Sequence, residues 1–455
     1  MSAVSRAFQD FLVVYAVLCP HGTTLRTVMS LVAKYRLKVN MADVVKAFTI
    51  AKLDEIVYVE QPHGFVESGK VCRLNQALEG TKQAGHLWQQ LLIKVLLELG
   101  MTQSTTDPCL FYKRDGQDSL YLVVWVDDML CASSSQKVFD DFFELFKAKI
   151  NSTRDDSSTF IGIKVIIDDK SGKVSLSQEA YIEKLYQRFM SEPNTKAWKT
   201  PTGTSRDEAT KFMSISTASS DEERLEMSTK GYLSLMGGLL YASCMTRPDV
   251  AFHVNFLCQF MKDPSREAYN AGLGVLAYLY ETRAISLTYG GEPRNIGPPE
   301  INSSDGVVAF ADSSFGQSPF PYGGGFVWYA NAAVSWLSRK VRFVPLSTCE
   351  AETAAMTDLA KEEIYVNNIL QDLGYILPTP LIISDSKSAV DIVKNPGTTK
   401  RSIHFDRWLH FTRELYLKKK IRVELAGTYY MMADDKTKVV DRDKFFRCRA
   451  FQMNI

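Results

Sequence analysis

Two adjacent carboxylates, Asp127 and Asp128, interrupt an otherwise apolar run from Tyr121 to Cys131. Apolar β-forming residues on both sides of an acidic pair predict a β-hairpin with the acids at its turn. Neighbouring carboxylates repel each other, and a divalent metal ion would neutralise them. The pair therefore indicates a metal site for phosphate chemistry, although an isolated pair of this kind is more often a solvated turn.

Acids also end other predicted strands. Asp43 comes at the end of a β-forming run, and two later apolar runs end in Asp312 and Asp385. Between these two runs, Ser347-Thr-Cys-Glu350 has the pattern of a helix N-terminus, a Ser or Thr followed three residues later by an acid. A lone Asp at a strand end is more often a cap or turn residue, so the chemical interpretation requires that these acids meet in space.

The composition is that of an ordinary globular protein. Of 455 residues, 45% are hydrophobic and 23% are charged, which suits two or three domains. The net charge of +1 makes no general case for nucleic-acid binding. The eight cysteines form no Cys-x-x-Cys pair and the six histidines lack metal-ligand spacing, so we expect reduced thiols and no zinc site. The apolar stretch Phe11 to Cys19 is too short to span a bilayer, which predicts a soluble intracellular protein.

Periodic and polar stretches divide the rest of the chain. Apolar residues recur at helical spacing in residues 23–34 and 177–190. The tract from Gly203 to Glu226 is rich in Ser, Thr, Asp and Glu, which predicts a flexible linker. The sequence after this tract predicts a mainly helical segment to about Thr288. Beyond Gly306 the pattern is three strands, a helix, a strand and a helix.

Several short motifs occur in the order and approximate spacing of the reverse transcriptase of copia-type LTR retrotransposons. They are Asp43-Val-Val-Lys-Ala-Phe48, Glu60-Gln-Pro-His-Gly-Phe65, Gly80-Thr-Lys-Gln-Ala84 with Trp88, Asp107-Pro-Cys-Leu-Phe111 and Val126-Asp127-Asp128-Met-Leu130. The pattern after Gly306 resembles the ribonuclease H fold, and His404 to Glu414 and Thr428 to Lys438 resemble the closing motifs of the same family. The resemblance covers nearly the whole chain.

This resemblance implies a multidomain α+β protein. Residues 1–202 would form the fingers, palm and thumb of a right-hand polymerase, with the fingers truncated because the chain starts late at Met1. Residues 203–226 would be the linker, 227–300 a mainly helical connection, and 301–455 an α/β ribonuclease H-like domain with a mixed sheet.

The resemblance also implies a polymerase site. Asp43 and Asp127 would bridge two Mg²⁺ ions, with Mn²⁺ as an alternative, and Asp128 would be a third, more peripheral acid. Phe48 matches the family's aromatic gate against a ribose 2′-hydroxyl, with an ordinary core phenylalanine as the alternative. Gly80 and Gln83 would lie along the template and nucleotide pocket. Trp125 would lie beside the primer.

A second two-metal site would hydrolyse the RNA strand of an RNA–DNA hybrid. Its implied ligands are Asp312, Glu350, Asp385 and a fourth acid. For the fourth we prefer Asp434, which is expected to start the last helix, over Asp406, which lies in what looks like the middle of a helix. Glu352 is expected to be an exposed helix acid.

The implied partners are an RNA template, a DNA primer, RNA–DNA hybrids, deoxynucleoside triphosphates and other parts of the retroelement polyprotein, with no membrane. The implied location is cytoplasmic, in virus-like particles, with nuclear access. We therefore expect an RNA-directed DNA polymerase with ribonuclease H activity. The alternative is a decayed or repurposed retroelement fragment that folds and binds nucleic acid without making DNA. Retention of the candidate acids favours the first hypothesis, and truncated fingers favour the second.

Overall fold

The computed structural model describes residues 20–81, 83–190, 199–203, 205–292, 306–315, 321–395 and 406–455. The first 19 residues, on which the expectation of truncated fingers depends, lie outside the described part. The chain divides into two compact units. Unit 1 contains the residues up to Val28 and Arg36–Ile161, and unit 2 contains Met29–Tyr35 and Gly162–Ile455. None of the described helices is both long and apolar enough to cross a bilayer.

Most of the elements up to Ile161 are strands. In order they are α1 (Gly22–Tyr35), β1 (Lys38–Val44), a 3₁₀ turn (Ala47–Ile50), β2 (Tyr58–Val59), β3 (Cys72–Arg73), α2 (Ala84–Glu98), β4 (Thr102–Gln103), β5 (Leu110–Asp115), β6 (Asp118–Trp125), β7 (Asp128–Ser133), α3 (Gln136–Lys147), β8 (Ser152–Asp155) and β9 (Thr159–Phe160).

Unit 1 is built on a six-stranded sheet in the order β4-β5-β6-β7-β1-β8, with every neighbouring pair antiparallel. Successive side chains of a strand point to opposite faces. Ala42 and Val44 of β1 pack with Trp88 of α2 and Phe139 of α3 in one hydrophobic core. Asp43, between them in sequence, therefore points to the face away from these two helices.

The elements after Ile161 include most of the helices. They are β10 (Ile163–Asp168), β11 (Lys173–Ser177), α4 (Glu179–Phe189), α5 (Arg206–Met213), α6 (Asp221–Thr229), α7 (Tyr232–Met245), α8 (Ala251–Cys258), α9 (Arg266–Glu281), β12 (Leu287–Tyr289), β13 (Val308–Ser313), β14 (Tyr322–Tyr329), β15 (Ala332–Lys340), α10 (Thr348–Asp372), β16 (Leu381–Ser384), α11 (Lys387–Lys394), α12 (Asp406–Leu417), β17 (Arg422–Leu425) and α13 (Arg442–Met453), with 3₁₀ turns at Pro248–Val250, Thr428–Tyr430 and Asp434–Lys436.

The last part of unit 2 is a five-stranded mixed sheet in the order β15-β14-β13-β16-β17. The first three strands in sequence pair antiparallel, whereas β16 runs parallel to β13 and β17 parallel to β16. The predicted order of three strands, a helix, a strand and a helix is confirmed, as is the α+β class with a mixed sheet. The predicted helical stretch before it contains α7, α8 and α9.

The prediction of a flexible linker between Gly203 and Glu226 is wrong. This tract contains α5 and most of α6, and two of its serines, Ser205 and Ser220, are the N-caps of these helices. The Ser205 hydroxyl accepts a hydrogen bond from the Glu208 N–H at 3.1 Å, and the Glu208 carboxylate accepts one from the Ser205 N–H at 3.1 Å. The Ser220 hydroxyl caps α6 by accepting a hydrogen bond from the Glu223 N–H at 3.2 Å. In addition, the boundary between the units lies after Ile161, within residues 1–202, the range predicted for the first domain.

Candidate active sites

The predicted hairpin is confirmed, and it brings together Asp43, Asp127 and Asp128, which we call the hairpin acids. Val126 and Asp127 form the turn between β6 and β7, and Asp128 is the first residue of β7. Asp128 lies opposite Asp43 in the antiparallel pair of β7 and β1. The Val44 N–H donates a hydrogen bond to the Asp127 carbonyl at 3.1 Å, which holds the turn against the end of β1.

The electrostatics of the hairpin acids favour a cation. Burial raises the pKa of Asp128 to about 6, and the negative charges of Asp127 and Asp43 add to this effect. Burial and the charge of Asp127 also raise the pKa of Asp43. A bound divalent cation would reverse these effects, and carboxylate oxygens are the ligands that Mg²⁺ prefers. The donor set of the hairpin acids therefore fits Mg²⁺.

Asp155 is a fourth acid at this end of the sheet, and it is not among the predicted site residues. It lies on β8 opposite Met41, two residues before Asp43, so all three side chains share a face of the sheet. Its charge contributes to the raised pKa values of Asp43 and Asp128. Its carboxylate accepts hydrogen bonds from the N–H and hydroxyl of Ser157, both at 2.8 Å. Only the sheet order, which no local motif encodes, places Asp155 here.

A second acidic cluster lies at the ends of neighbouring parallel strands in unit 2. Asp312 is near the end of β13, Asp385 directly follows β16, and Glu352 lies in the first turns of α10. One carboxylate oxygen from each of these residues lies within 4.8 Å of the other two. We call this set the carboxylate triad, and it is the tightest acidic grouping in the described part of the chain.

The structure corrects the predicted glutamate of this cluster. Glu350 faces the start of its own helix, where its carboxylate accepts the Leu346 N–H at 2.7 Å and its N–H donates to the Ser347 hydroxyl at 3.3 Å. Glu352 is only 8% exposed and faces the sheet, so the expectation of an exposed acid is wrong. Two residues correspond to about 200° around a helix, so the two glutamates point in nearly opposite directions.

The carboxylate triad has the electrostatics of a cation site. Burial raises the pKa of Glu352 to about 9, and the charges of Asp312 and Asp385 add to this effect. The Oε2 atom of Glu352 has no hydrogen-bond partner among the described residues. A buried carboxylate oxygen without a donor, facing two further carboxylates, is costly unless a proton or a cation neutralises it. The triad therefore fits a divalent metal ion.

Comparison with known proteins identifies the family. Residues 4–203 match the family model described as reverse transcriptase (RNA-dependent DNA polymerase). The retrovirus-related Pol polyprotein from transposon TNT 1-94 of Nicotiana tabacum is 34% identical over 436 residues, which cover 94% of this chain and 32% of that relative. The chain belongs to the copia-type reverse transcriptase family. A second relative, the Pol polyprotein from transposon RE2 of Arabidopsis thaliana, is 28% identical over 93% of this chain and 28% of its own length.

This copia-type chain thus spans about a third of the length of these curated relatives. Among solved structures, the prototype foamy virus protease-reverse transcriptase is 12% identical, with 89% of this chain and 45% of that chain covered at a TM-score of 0.23.

Asp434 lies beside the triad of the copia-type chain, but it is paired with lysines. It belongs to the 3₁₀ turn Asp434–Lys436 and is 2% exposed. Its carboxylate is 2.5 Å from the Lys438 ammonium and also pairs with Lys444. The expectation that Asp434 starts the last helix is wrong, because α13 begins at Arg442, after the N-cap Asp441. The side chain of Asp406 lies outside the described part, so the choice between these two acids stays a prediction.

The segment after Asp434 also contacts Asp312. The Thr437 hydroxyl donates a hydrogen bond to Oδ2 of Asp312, and the Lys438 ammonium lies 3.7 Å from the same oxygen. Burial alone would lower the pKa of Lys438, but the charges of Asp312 and Asp434 raise it. Neither residue is among the predicted site residues. The signal for them was the closing motif itself, whose polar residues follow Asp434 directly.

The four predicted substrate-binding residues all lie in unit 1. Phe48 is half-buried in the turn after β1 and packs against the core of the six-stranded sheet. Trp125 pairs with Asp128 across the hairpin. Gly80 is exposed at a φ of 88°, and the Gln83 amide donates a hydrogen bond to Glu55 at 2.9 Å. Their contacts with nucleic acid stay predictions.

Proposed function

We propose that the chain is an RNA-directed DNA polymerase with an associated ribonuclease H activity. The observation that carries this proposal is the presence of two acidic clusters in one family member. Each is assembled from residues far apart in sequence, and each has the oxygen donors that Mg²⁺ prefers.

In the polymerase reaction the hairpin acids would hold the metal ions at the end of β1. Asp43 lies on β1, and the Val44 hydrogen bond holds the turn that contains Asp127 against the end of this strand. The separation of the two acids is therefore fixed before substrate binds. Mg²⁺ bound there supplies activation of the primer 3′-hydroxyl and neutralisation of the pyrophosphate leaving group. Phe48, half-buried in the turn after β1, would exclude a ribose 2′-hydroxyl and so select deoxynucleotides.

In the hydrolytic reaction the carboxylate triad would hold the metal ions and orient a water molecule toward the RNA phosphodiester. Asp312 is already oriented by Thr437. Lys438 carries a positive charge within 3.7 Å of Asp312, where it limits the repulsion among the acids. Asp434, neutralised by Lys438 and Lys444, would join the site when substrate draws these lysines to its phosphates.

Two substitutions test the assignment. Asp127→Asn should abolish primer extension on an RNA template while hybrid cleavage continues, and Asp385→Asn should do the reverse, because each removes one metal ligand from one cluster. Asp156→Asn is the control, since Asp156 is an exposed acid next to Asp155. Primer extension that persists undiminished in Asp127→Asn would refute the polymerase assignment.

The same assays address the alternative, a repurposed fragment of a retroelement. Such a protein would bind RNA–DNA hybrids in a binding assay but would neither extend a primer nor cleave RNA in the presence of Mg²⁺ or Mn²⁺. The proposed partners are an RNA template, a DNA primer, deoxynucleoside triphosphates and other parts of the Pol polyprotein. The proposed location is the cytoplasm.

A further inference from the structure

The turn that contains Asp127 has an unfavourable backbone conformation. Val126 has a φ of 56°, in the left-handed region. A Cβ makes this region costly, and a β-branched side chain makes it more so, which is why glycine or asparagine usually occupies such a position. The turn between β6 and β7 has only two residues. A neighbouring group must therefore stabilise the conformation.

Trp88 is that neighbour. It lies in α2, its side chain is 0% exposed, and its ring packs in the core between α2 and the six-stranded sheet. Its indole N–H donates a hydrogen bond to the Val126 carbonyl at 2.8 Å. A buried indole N–H needs an acceptor, and this one uses the strained residue of the turn.

The consequence for Asp127 follows from the planarity of the peptide bond. The Val126 carbonyl and the Asp127 N–H belong to one plane, so the indole fixes the peptide before Asp127. The Val44 N–H, which binds the Asp127 carbonyl at 3.1 Å, fixes the peptide after it. The peptide groups on both sides of Asp127 are therefore held by hydrogen bonds, one from Trp88 of α2 and one from Val44, the residue next to Asp43.

We propose that Trp88 is a positioning residue for the polymerase site, and that its indole N–H holds Asp127 in register with Asp43 against the strain at Val126. This inference rests on the proposed polymerase function. A different role, in which Trp88 merely fills the core, would depend on the ring and not on its N–H. The two roles can be separated because phenylalanine keeps an aromatic ring and lacks the donor.

The experiment compares Trp88→Phe, Val126→Gly and the double variant in the full chain. Trp88→Phe should slow primer extension by about 10- to 100-fold, the effect of a small displacement of a reacting group, and should raise the Mg²⁺ concentration needed for half-maximal rate. Val126→Gly alone should change little. In the double variant most of the rate should return, because glycine accepts the positive φ without the indole.

The control is Trp336→Phe. The Trp336 indole N–H donates to the Ser243 carbonyl at 2.9 Å in unit 2, so this variant makes the same chemical change outside the hairpin. It should leave primer extension and its Mg²⁺ dependence unchanged.

Hydrogen exchange gives a readout that does not need activity. Trp88→Phe should speed backbone exchange in the peptide that spans Trp125 to Leu130, and the double variant should restore it. The inference would be overturned if Trp88→Phe had the primer-extension rate and the hydrogen exchange of the wild type. It would also be overturned if Val126→Gly failed to restore the rate and exchange lost in Trp88→Phe, because such losses would reflect packing alone. A wild-type chain without primer extension would defeat the proposed function, and the exchange data would then decide the inference independently.

Discussion

Glu350 and Glu352 are two residues apart in α10 and have different environments. Glu352→Gln should reduce hybrid cleavage at least about 100-fold, because it removes a charged oxygen donor from the carboxylate triad. Glu350→Gln should keep cleavage and change stability by less than about 1 kcal/mol, since glutamine can also accept the Leu346 N–H at the helix start. A cleavage time course with each variant distinguishes the two residues, and primer extension in the same samples reports whether unit 1 stays intact. Equal losses of cleavage would contradict the assignment.

The choice between these glutamates could have been made from the sequence. Ser347 is an N-cap, so the acid three residues later turns back to the helix terminus, and the next acid is free to face the sheet. The position of Asp155 could not have been deduced in this way. It depends on β8 lying beside β1, a pairing of strands that more than a hundred residues separate. Local motifs predicted the residue types at both sites, whereas the sheet order determined which of them meet.

A buried acid away from both clusters predicts a dependence of stability on pH. Glu363 of α10 is 0% exposed, and burial raises its pKa well above the ordinary value, an effect that the charge of Arg422 only partly offsets. The folded state therefore keeps the proton that the unfolded state loses. Below the ordinary pKa of a glutamate, Glu363 is protonated in both states and does not affect the pH dependence of stability. Above that pKa, the free energy of unfolding falls by up to about 1.4 kcal/mol per pH unit.

Glu363→Gln removes this titration and should be more stable than wild type at pH 8, with the advantage disappearing near pH 4. Urea unfolding curves at several pH values measure the difference. Glu424→Gln is the control, because Glu424 forms an exposed pair with Lys394 and should give a small effect. A wild-type stability that rises between pH 5 and pH 8 relative to Glu363→Gln would contradict the argument.

At the scale of the element, the central pair of strands in unit 2 depends on one glycine. A Cβ on Gly325 of β14 would overlap the Phe310 carbonyl oxygen of β13, and both strands sit next to the triad. Gly325→Ala should therefore lower the melting temperature and reduce hybrid cleavage. The expected cost is about 3 kcal/mol or more, the range of severe steric changes in a core. Gly427→Ala is a matched control, because a Cβ there meets nothing within 4 Å.

The helices that replaced the predicted linker show where element prediction failed. α5 and α6 have eight and nine residues, too short to be stable in isolation. Their sequences resemble a linker because they are rich in polar residues, among them the N-caps Ser205 and Ser220 and the acids of the first helical turns. What stabilises them is the burial of Phe212 and Met227 against the rest of unit 2. Single apolar residues in a polar tract carry too weak a periodic signal to reveal this packing.

At the scale of the whole molecule, unit 2 contains residues 227–300 and 301–455, which the sequence predicts to be separate domains. Tyr322 of β14 and Phe445 of α13 belong to the same hydrophobic core as helices α7 to α9. The Lys436 ammonium, 0% exposed, donates to the Pro248 carbonyl at 2.8 Å and to Gln452 and Asp435. Pro248 and Lys436 are 188 residues apart, so no motif could have shown that the Thr246-Arg-Pro-Asp249 segment anchors the turn beginning at Asp434.

Two variants can separate the charge pairing of Lys436 with Asp435 from the hydrogen bond of Lys436 to the Pro248 carbonyl. Lys436→Met leaves the Asp435 carboxylate without its buried partner and should destabilise the chain by about 3–5 kcal/mol. Combining it with Asp435→Leu removes both charges and should recover most of that loss. The bond to Pro248 stays missing in both variants, so hybrid cleavage should remain reduced even where stability returns. Urea unfolding and cleavage measured together would give this split, with Lys394→Met as the surface control. Full cleavage in the double variant would show that the turn at Asp434 holds its position without the Pro248 carbonyl.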